Sequence, residues 1–544
     1  MTAFQPDPDR RLLPRFRASH AAVSSGDLRS FENRQSTESI ASPDFEQLKA
    51  QWAEAPTAEL AGELVSSGIV LGHKQDVRAA AEFIQTRQDA FAPDLVGLAR
   101  AVLEDTPVTC MIPEQLTTVA STHSELSQLK KRLAEDPHNS IVWMDRAQLH
   151  TTLGQLDAAK HAVKIALSLS PNNRFVLRGA SRFYLRAKDQ AQGLQILRSS
   201  PALSSDPWLM AAEISLSAVT AQSPFSFRRA RALLQADSLD PWHTAELNGA
   251  FGTLAAEDRS VGKAGQFFRQ SLRNPTENAI AQAQWFSNSH KNFEVPPQLL
   301  ALRMSFEAQA LKAHAEKRWT DVITACRGWS VMDPISTRPL ALGSYIAESA
   351  LNNGEIALEF TSRWVVTEPT SSMSWNNHAV ALAYVGKIEE ARAALSKVTR
   401  ADGTMGIDAV LLATQGLIEY RSGHPEAGQR LYLRAADSDR ARHDRALHAL
   451  IIWHLLREEA RWDAPAVRDL AATVWENTKD VPVGELAAMK QLIEHSPASP
   501  AVLSPSGEMI QVSGLPADIL INYFKWPRVR RDSDSDNDRT NHPL

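Results

Sequence analysis

The chain has 544 residues, of which 22 % are charged and 43 % hydrophobic, with 24 Gly and 29 Pro, so it is composed as a folded globular protein and not as a disordered or collagen-like one. Its 58 basic and 63 acidic side chains leave a formal net charge of −5, which disfavours a protein built to coat a polyanion or an anionic membrane. Cys110 and Cys326 form no CxxC and no framework of pairs, which excludes a disulfide-stapled secreted scaffold.

The opening MTAFQPDPDRRLLPRFRASH mixes Asp7 and Asp9 with four arginines and lacks the apolar run of a signal peptide. The stretch RSFENRQSTESIASPD that follows is polar and aperiodic, so residues 1–42 are expected to be disordered and the chain to be soluble and cytoplasmic. Ser42-Pro43 signals the first helix start. From there to about residue 495, apolar residues recur three and four apart in segments such as ELAGELVSSGIVLG, DVRAAAEFIQT and DLVGLARAVL. Pro, Gly, Asn or Asp separate these segments, and alternating β-branched runs are nearly absent. The spacing predicts an all-α fold, with degenerate helical hairpins over 43–135 and a repeat array over 136–495. The most apolar stretch, residues 447–456, carries His448 and His454 and falls short of the ~20 apolar residues a spanning helix needs. In 496–544 the composition changes. SPASPAVLSPSGEMIQVSGLPAD is loop-like with a possible extended piece at 509–512, ADILINYFKW predicts one short helix, and VRRDSDSDNDRTNHPL predicts a charged disordered tail.

A fixed set of intervals recurs within 136–495. Trp143, Ala147, Gly154, Ala159, Val163, Ala166 and Pro171 are matched by Trp375, Ala379, Gly386, Ala391, Leu395 and Val398, and again by Leu412, Gly416, Gly423, Gly428, Tyr432 and Ala435. The small residue four after the leading side chain lets the two helices of a hairpin approach, and the next Gly supplies a turn with positive φ. The later small residue and the bulky one four beyond it place a gap and a filler on one helix face. The copies NSIVWMDRAQLHTTLGQLDAAKHAVKIALSLSP, SSMSWNNHAVALAYVGKIEEARAALSKV and LLATQGLIEYRSGHPEAGQRLYLRAA resemble the tetratricopeptide repeat (TPR) family, whose unit is about 34 residues of helix–turn–helix. The copies are divergent: residues 177–197 lack the turn Gly, and the unit over 208–241 carries about five extra residues. The resemblance implies an α-solenoid with a superhelical groove lined by the first helix of each hairpin.

No GxGxxG, GxxxxGK[ST], HExxH or GxSxG occurs, and no ordered segment is left over for a separate catalytic domain, so no enzyme activity, cofactor or metal is expected. His443, His448 and His454 are spaced five and six apart and do not converge on one ion, whereas Asp444 and His448 can pair at four residues' separation. Asp532, Asp534, Asp536 and Asp538 open like a calcium loop, but Asn537 takes the Gly position and Pro543 that of the bidentate Glu, leaving a solvated acidic tail.

Arg174, Arg178, Arg182 and Arg186 form a ladder on one helix stripe, where like charges four apart cost a few tenths of a kcal/mol per pair unless compensated. The resemblance turns Met144, Gln148 and Thr152 inward, and the same offsets place Arg178, Arg182 and Arg186 in the groove. Two readings are open: guanidinium forks that capture carboxylate or phosphate, or internal pairing with Glu213 and Asp145. In the later units Asn376, Val380 and Tyr384, then Ala413, Leu417 and Arg421, take the inward positions. Arg178, Arg182, Arg186, Asn376, Tyr384 and Arg421 are therefore the candidate partner-binding residues. The Lys/Asn clamp that some TPR modules use does not carry over, because the inward positions after Trp143 hold no Lys. Trp143, Trp208, Trp375, Trp453 and Trp462 read as core, and Arg228, Arg229 and Arg231 as a solvated convex face. The expected function is a non-catalytic scaffold or adaptor that binds an extended, acidic segment of a protein partner in its groove. One alternative is a helical-repeat nucleic-acid binder, disfavoured by the net charge and by varied inward residues. Another is a regulatory or sensor subunit of a separately encoded enzyme.

Overall fold

The computed structural model describes residues 43–496 apart from 72, 74, 89–90, 92, 105–115, 117–118, 237–238, 240, 302–304, 399–406 and 462–463. The expected disordered segments at 1–42 and in the tail, the piece at 509–512, the ADILINYFKW helix and Trp462 lie outside the described residues. Among the described residues all regular elements are helices. The described residues up to 398 form one compact unit and those from 407 to 496 a second, a boundary that falls inside the 136–495 array expected from sequence.

In the first unit, α1 (Pro43–Glu54), α2 (Ala58–Leu71), α3 (Arg78–Gln85) and α4 (Pro93–Leu103) enclose a core that includes Phe45, Leu64, Val77, Ile84 and Ala99, and α5 (Val119–Glu135) follows. Hairpins then succeed one another: α6 (Ser140–Thr152) with α7 (Leu156–Leu169), α8 (Arg174–Arg186) with α9 (Gln190–Ser199), α10 (Pro207–Val219) with α11 (Phe227–Ala236), and α12 (Pro241–Glu257) with α13 (Val261–Ser271). The series continues with α14 (Glu277–Ser289) and the short α15 (Pro297–Ala301), α16 (Phe306–Ala315) and α17 (Trp319–Met332), α18 (Arg338–Ser349) and α19 (Gly354–Thr367), and α20 (Ser372–Tyr384) and α21 (Ile388–Ser396). The second unit holds α22 (Ile407–Arg421), α23 (Pro425–Ala436), α24 (Asp439–His443), α25 (Arg445–Glu459), α26 (Ala464–Thr478) and α27 (Leu486–Glu494). No described helix is long and apolar enough to cross a membrane.

This is an α-solenoid of TPR-like hairpins, and its regularity exceeds what the degenerate motifs suggest. First helices of the first unit begin at Ser140, Arg174, Pro207, Pro241, Glu277, Phe306, Arg338 and Ser372, at intervals of 29 to 36 residues. Several open on a short polar cap: Asn139, Asn173, Asp206, Thr276 and Ser371 each accept a hydrogen bond from a backbone N–H two or three residues on. Such a cap contributes about 1 kcal/mol. The eight described residues with positive φ all lie in hairpin turns: Gly154, Gly386 and Gly423, but also Lys188, Ala221, Arg259, Lys317 and Asn352. Five units thus adopt the left-handed turn without glycine, at about 1–2 kcal/mol each. That is why their sequences lose the repeat signature.

Close helix approach follows the predicted intervals. A Cβ added to Gly416 would lie 2.8 Å from the Tyr432 ring and 3.0 Å from the Gly428 carbonyl oxygen, so the leading small residue and its filler meet as the spacing requires. Trp208 and Trp453 are buried. Trp143 and Trp375 are only half-buried, because each points its Nε1–H back to a loop carbonyl six residues earlier, at Pro137 (2.9 Å) and Pro369 (2.7 Å).

The first unit's array returns on itself. The Thr367 hydroxyl donates to the Thr152 carbonyl at 3.0 Å, and Glu359 accepts from the Leu116 N–H at 2.8 Å while Arg327 grips it with Nε and Nη2 at 3.1 and 2.6 Å. Gly154 packs so near Val366 that a Cβ there would sit 2.5 Å from its carbonyl oxygen. One apolar core runs from Met144 through Leu177, Phe183, Leu209 and Phe251 and takes in Ile335 from beyond α17.

Candidate functional site

The arginines of the ladder meet the chain's own carboxylates. Arg178 Nη2 lies 2.6 Å from Glu246 on α12, with the guanidinium 4.9 Å from the Trp208 ring centre. Arg182 Nη2 reaches Asp333 at 3.0 Å. Arg186 reaches Glu368 at 3.3 Å and also donates to the Thr367 carbonyl at 2.9 Å. The three arginine side chains are 13–14 % exposed. Arg174, 44 % exposed at the outer end, pairs with Asp206 at 2.5 Å. Burial pulls the Arg186 guanidinium below its ordinary value, while Glu368 works against that shift.

Asp333 and Glu368 each follow directly on the last residue of a helix, α17 and α19, where a carboxylate meets the negative end of the helix dipole. Those positions are unfavourable alone and become favourable opposite a guanidinium. The ladder therefore fastens α8 to the units that return against it, and Arg178, Arg182 and Arg186 are not open groove residues for a partner. The partner expected for internal pairing is corrected as well. Glu213, fully buried, accepts instead from Arg198 Nε at 2.9 Å, from Ser217 and Ser226 hydroxyls, and from the backbone N–H groups of Phe225 and Ser226.

The later candidates are also built into the packing. Asn376 is fully buried on α20, its Nδ2 donating to Asn377 Oδ1 at 3.3 Å. Tyr384, at the end of α20, is half-buried with its Cβ against Gly354. In the second unit Arg421 makes a bidentate pair with Glu458 at 2.7 and 2.9 Å. Burial would raise the Glu458 carboxyl, but Arg421, Arg457 and Arg461 outweigh it and hold the group below its ordinary value. His448 Nδ1 donates to the Ala436 carbonyl at 3.2 Å, Asp444 caps α25, and His454 Nδ1 accepts from Arg457 at 2.8 Å. Burial lowers both histidines, so each is neutral at pH 7. Among the described residues no group of three or more His, Cys, Asp or Glu is arranged to hold a metal, and the 532–538 aspartates lie outside them.

A different cluster has the properties the ladder lacks. Between α11, α12 and α13 lies a cavity of about 500 Å³ lined by Arg231, Arg273, Gln235, Asn248, Gln266 and Gln270 around Phe251 and Phe267. Arg228, Arg229, Arg231 and Arg273 are exposed, and among the described residues none of them forms an ion pair. The sequence reading placed Arg228, Arg229 and Arg231 on a solvated convex face and missed Arg273. The extra length expected over residues 208–241 is no signal, since the unit from Pro207 to Pro241 keeps a 34-residue interval and its longer turn is offset by a short second helix.

No family model matches the chain, and no curated protein matches it. Among solved structures, the chain is similar to Naa15/Naa10 bound to HypK-THB, with 14 % identity over 80 % of this chain and 86 % of that one and a TM-score of 0.22. It is similar to yeast Tom70, with 12 % identity over 81 % and 94 % of the two chains and a TM-score of 0.27. It is also similar to a monomeric mutant of IFIT1 with m7Gppp-AAAA, with 12 % identity over 88 % and 98 % and a TM-score of 0.26. Likenesses this loose carry no argument about partner or activity. The solenoid assignment stands on the hairpins, caps and turns of the chain itself.

Proposed function

We propose that this chain is a non-catalytic, cytoplasmic interaction scaffold that recognises an acidic segment of a protein partner. The observation that carries the reading is the set of exposed guanidinia at Arg228, Arg229, Arg231 and Arg273, which lack ion-pair partners among the described residues although the chain as a whole is acidic at −5. Guanidinium forks suit carboxylates bidentately, and a solenoid presents them on a rigid extended surface. The recognition surface is not the arginine ladder, whose charges are engaged within the chain. The same guanidinia could meet phosphates, and salt separates the two readings. Capture from native lysate should retain a protein band after nuclease treatment, with only modest weakening between about 50 and 200 mM salt. A band lost to nuclease, or one weakened by orders of magnitude over that range, would place nucleic acid first.

A further inference from the structure

We infer that the outer face of the α10–α11 unit, from Phe225 to the Arg231–Arg273 cavity, is the docking site for an acidic protein segment that also carries an apolar residue. The inference rests on the scaffold reading and assigns it a surface. Most turns in the array are three residues long, as at 153–155, 187–189, 258–260, 316–318 and 385–387, whereas the α10–α11 turn at 220–226 and the α14–α15 turn at 290–296 each span seven residues. The added residues of the α10–α11 turn are pinned. The Glu213 carboxylate accepts from the Phe225 N–H at 2.9 Å, the Ser226 N–H at 3.2 Å and the Ser226 hydroxyl at 2.7 Å. Arg198, held on Glu213, donates onward to Gln222 Oε1 at 2.9 Å and the Ser223 carbonyl at 2.8 Å.

Burying a carboxylate and ordering a loop both oppose folding, so a loop held this firmly has to give something back. What this one does is hold Phe225 out in water, 77 % exposed, while Phe227 turns inward onto Phe251 with ring centres 4.9 Å apart. An aromatic side chain fixed in an exposed position is a preordered anchor, and aromatic and arginine side chains dominate binding at protein interfaces. Arg228, Arg231 and Gln235 follow it at three- and four-residue steps, so they share one stripe of α11. Arg231 lies one turn along α11 from its first residue, Phe227, so the stripe begins directly after the turn that carries Phe225. The occupant is therefore a segment whose apolar residue packs on Phe225 and whose carboxylates enter the cavity between Arg231 and Arg273. The side-chain amides of Gln235, Gln266 and Gln270 are placed to bond its backbone.

The test uses the full chain and a fluorescein-labelled peptide with one leucine followed by a run of glutamates, read by fluorescence anisotropy. The wild type should bind it more tightly than the glutamine counterpart. Arg231→Glu with Arg273→Glu should weaken binding about tenfold or more, and Phe225→Ser about threefold to fivefold. Lys131→Glu with Lys164→Glu, an equal charge change elsewhere, should leave binding unchanged, and far-ultraviolet circular dichroism should show all variants equally helical. If the wild type keeps its preference for the acidic peptide while the arginine variant binds equally well, this surface is wrong and the scaffold reading survives. If the wild type does not distinguish glutamate from glutamine, both fail. An oligonucleotide of equal charge that displaces the peptide at physiological salt would overturn the acidic-segment assignment.

Discussion

Helices α8 and α11 look alike as sequences: RFVLRGASRFYLR and FRRARALLQA are both arginine-rich stripes of the same array. In the fold their charges have opposite fates. On α8, Arg178, Arg182 and Arg186 are nearly buried and each meets a carboxylate, whereas on α11 Arg228, Arg229 and Arg231 stand in solvent with none among the described residues. The difference is the place in the hairpin. α8 is the first helix of its hairpin, and the chain just after α17 and α19 brings Asp333 and Glu368 against it, whereas α11 is a second helix whose arginines no described carboxylate meets. An arginine stripe is thus an internal fastener or a solvent-exposed face according to what the fold brings against it, and composition does not distinguish the two.

The largest expected effect tests the fastener. Arg182→Ala leaves Asp333, whose side chain is 6 % exposed, without its cation and should destabilise the first unit by about 3–5 kcal/mol in urea unfolding. Arg182→Leu with Asp333→Leu should recover most of that loss. If Arg182→Ala shifts the transition by less than about 1 kcal/mol, the ladder is a surface feature like the α11 stripe.

A smaller effect concerns the clamp that separates the two stripes. Glu213→Gln keeps the shape but removes charge from the Arg198, Phe225 and Ser226 contacts, at an expected cost of about 1.5–3 kcal/mol. Burial raises the Glu213 carboxyl, but the Ser226 hydroxyl, the two backbone N–H groups and Arg198 outweigh it and hold the group below its ordinary value. The folded state then binds its proton less readily than the unfolded chain. Its stabilisation is present above the usual carboxylate range and fades as pH falls through the folded value. Glu213→Gln should flatten that acid limb in pH-dependent unfolding, and an unchanged limb would remove the clamp's charge from the account.

His378 predicts a modest effect at milder pH. Burial, with Lys397 and Lys387 nearby, pushes it down to about 4 from an ordinary value near 6.5. Between those values the unfolded chain takes up a proton that the folded state refuses, so stability should decline as pH falls from 6.5 towards 4. His378→Gln should reduce that decline, and the same slope in the variant would assign it to other groups. The smallest effects sharpen the comparison of stripes. Arg174→Ala, at the exposed end of the ladder, should cost under about 1 kcal/mol, and Arg228→Ala or Arg229→Ala should leave stability within about 0.5 kcal/mol. A larger loss on α11 would mean that its arginines pack structurally.

Much of the fold can be read from local chemistry. Trp143 and Trp375 lead units whose turns hold Gly154 and Gly386, and their hairpins fall where the intervals place them. The units with Lys188, Ala221, Arg259, Lys317 and Asn352 in the turn carry the same backbone without the glycine that would announce it. The candidate site was less legible. Asp333 and Glu368 each stand just before a proline at a repeat boundary, a recurring acidic position that marked the ladder's partners, yet nothing in that pattern assigns either one to a particular arginine.

The sequence alone determined the all-α character, the hairpin period and the single helix stripe that the ladder's arginines share, because helix periodicity, capping and small-residue spacing act over a few residues. Only the tertiary structure decided what the ladder meets. Arg178, Arg182 and Arg186 find Glu246, Asp333 and Glu368 at 68, 151 and 182 residues' separation. Those encounters depend on small rotations accumulated from unit to unit until the array comes round on itself, and no local pattern records that sum.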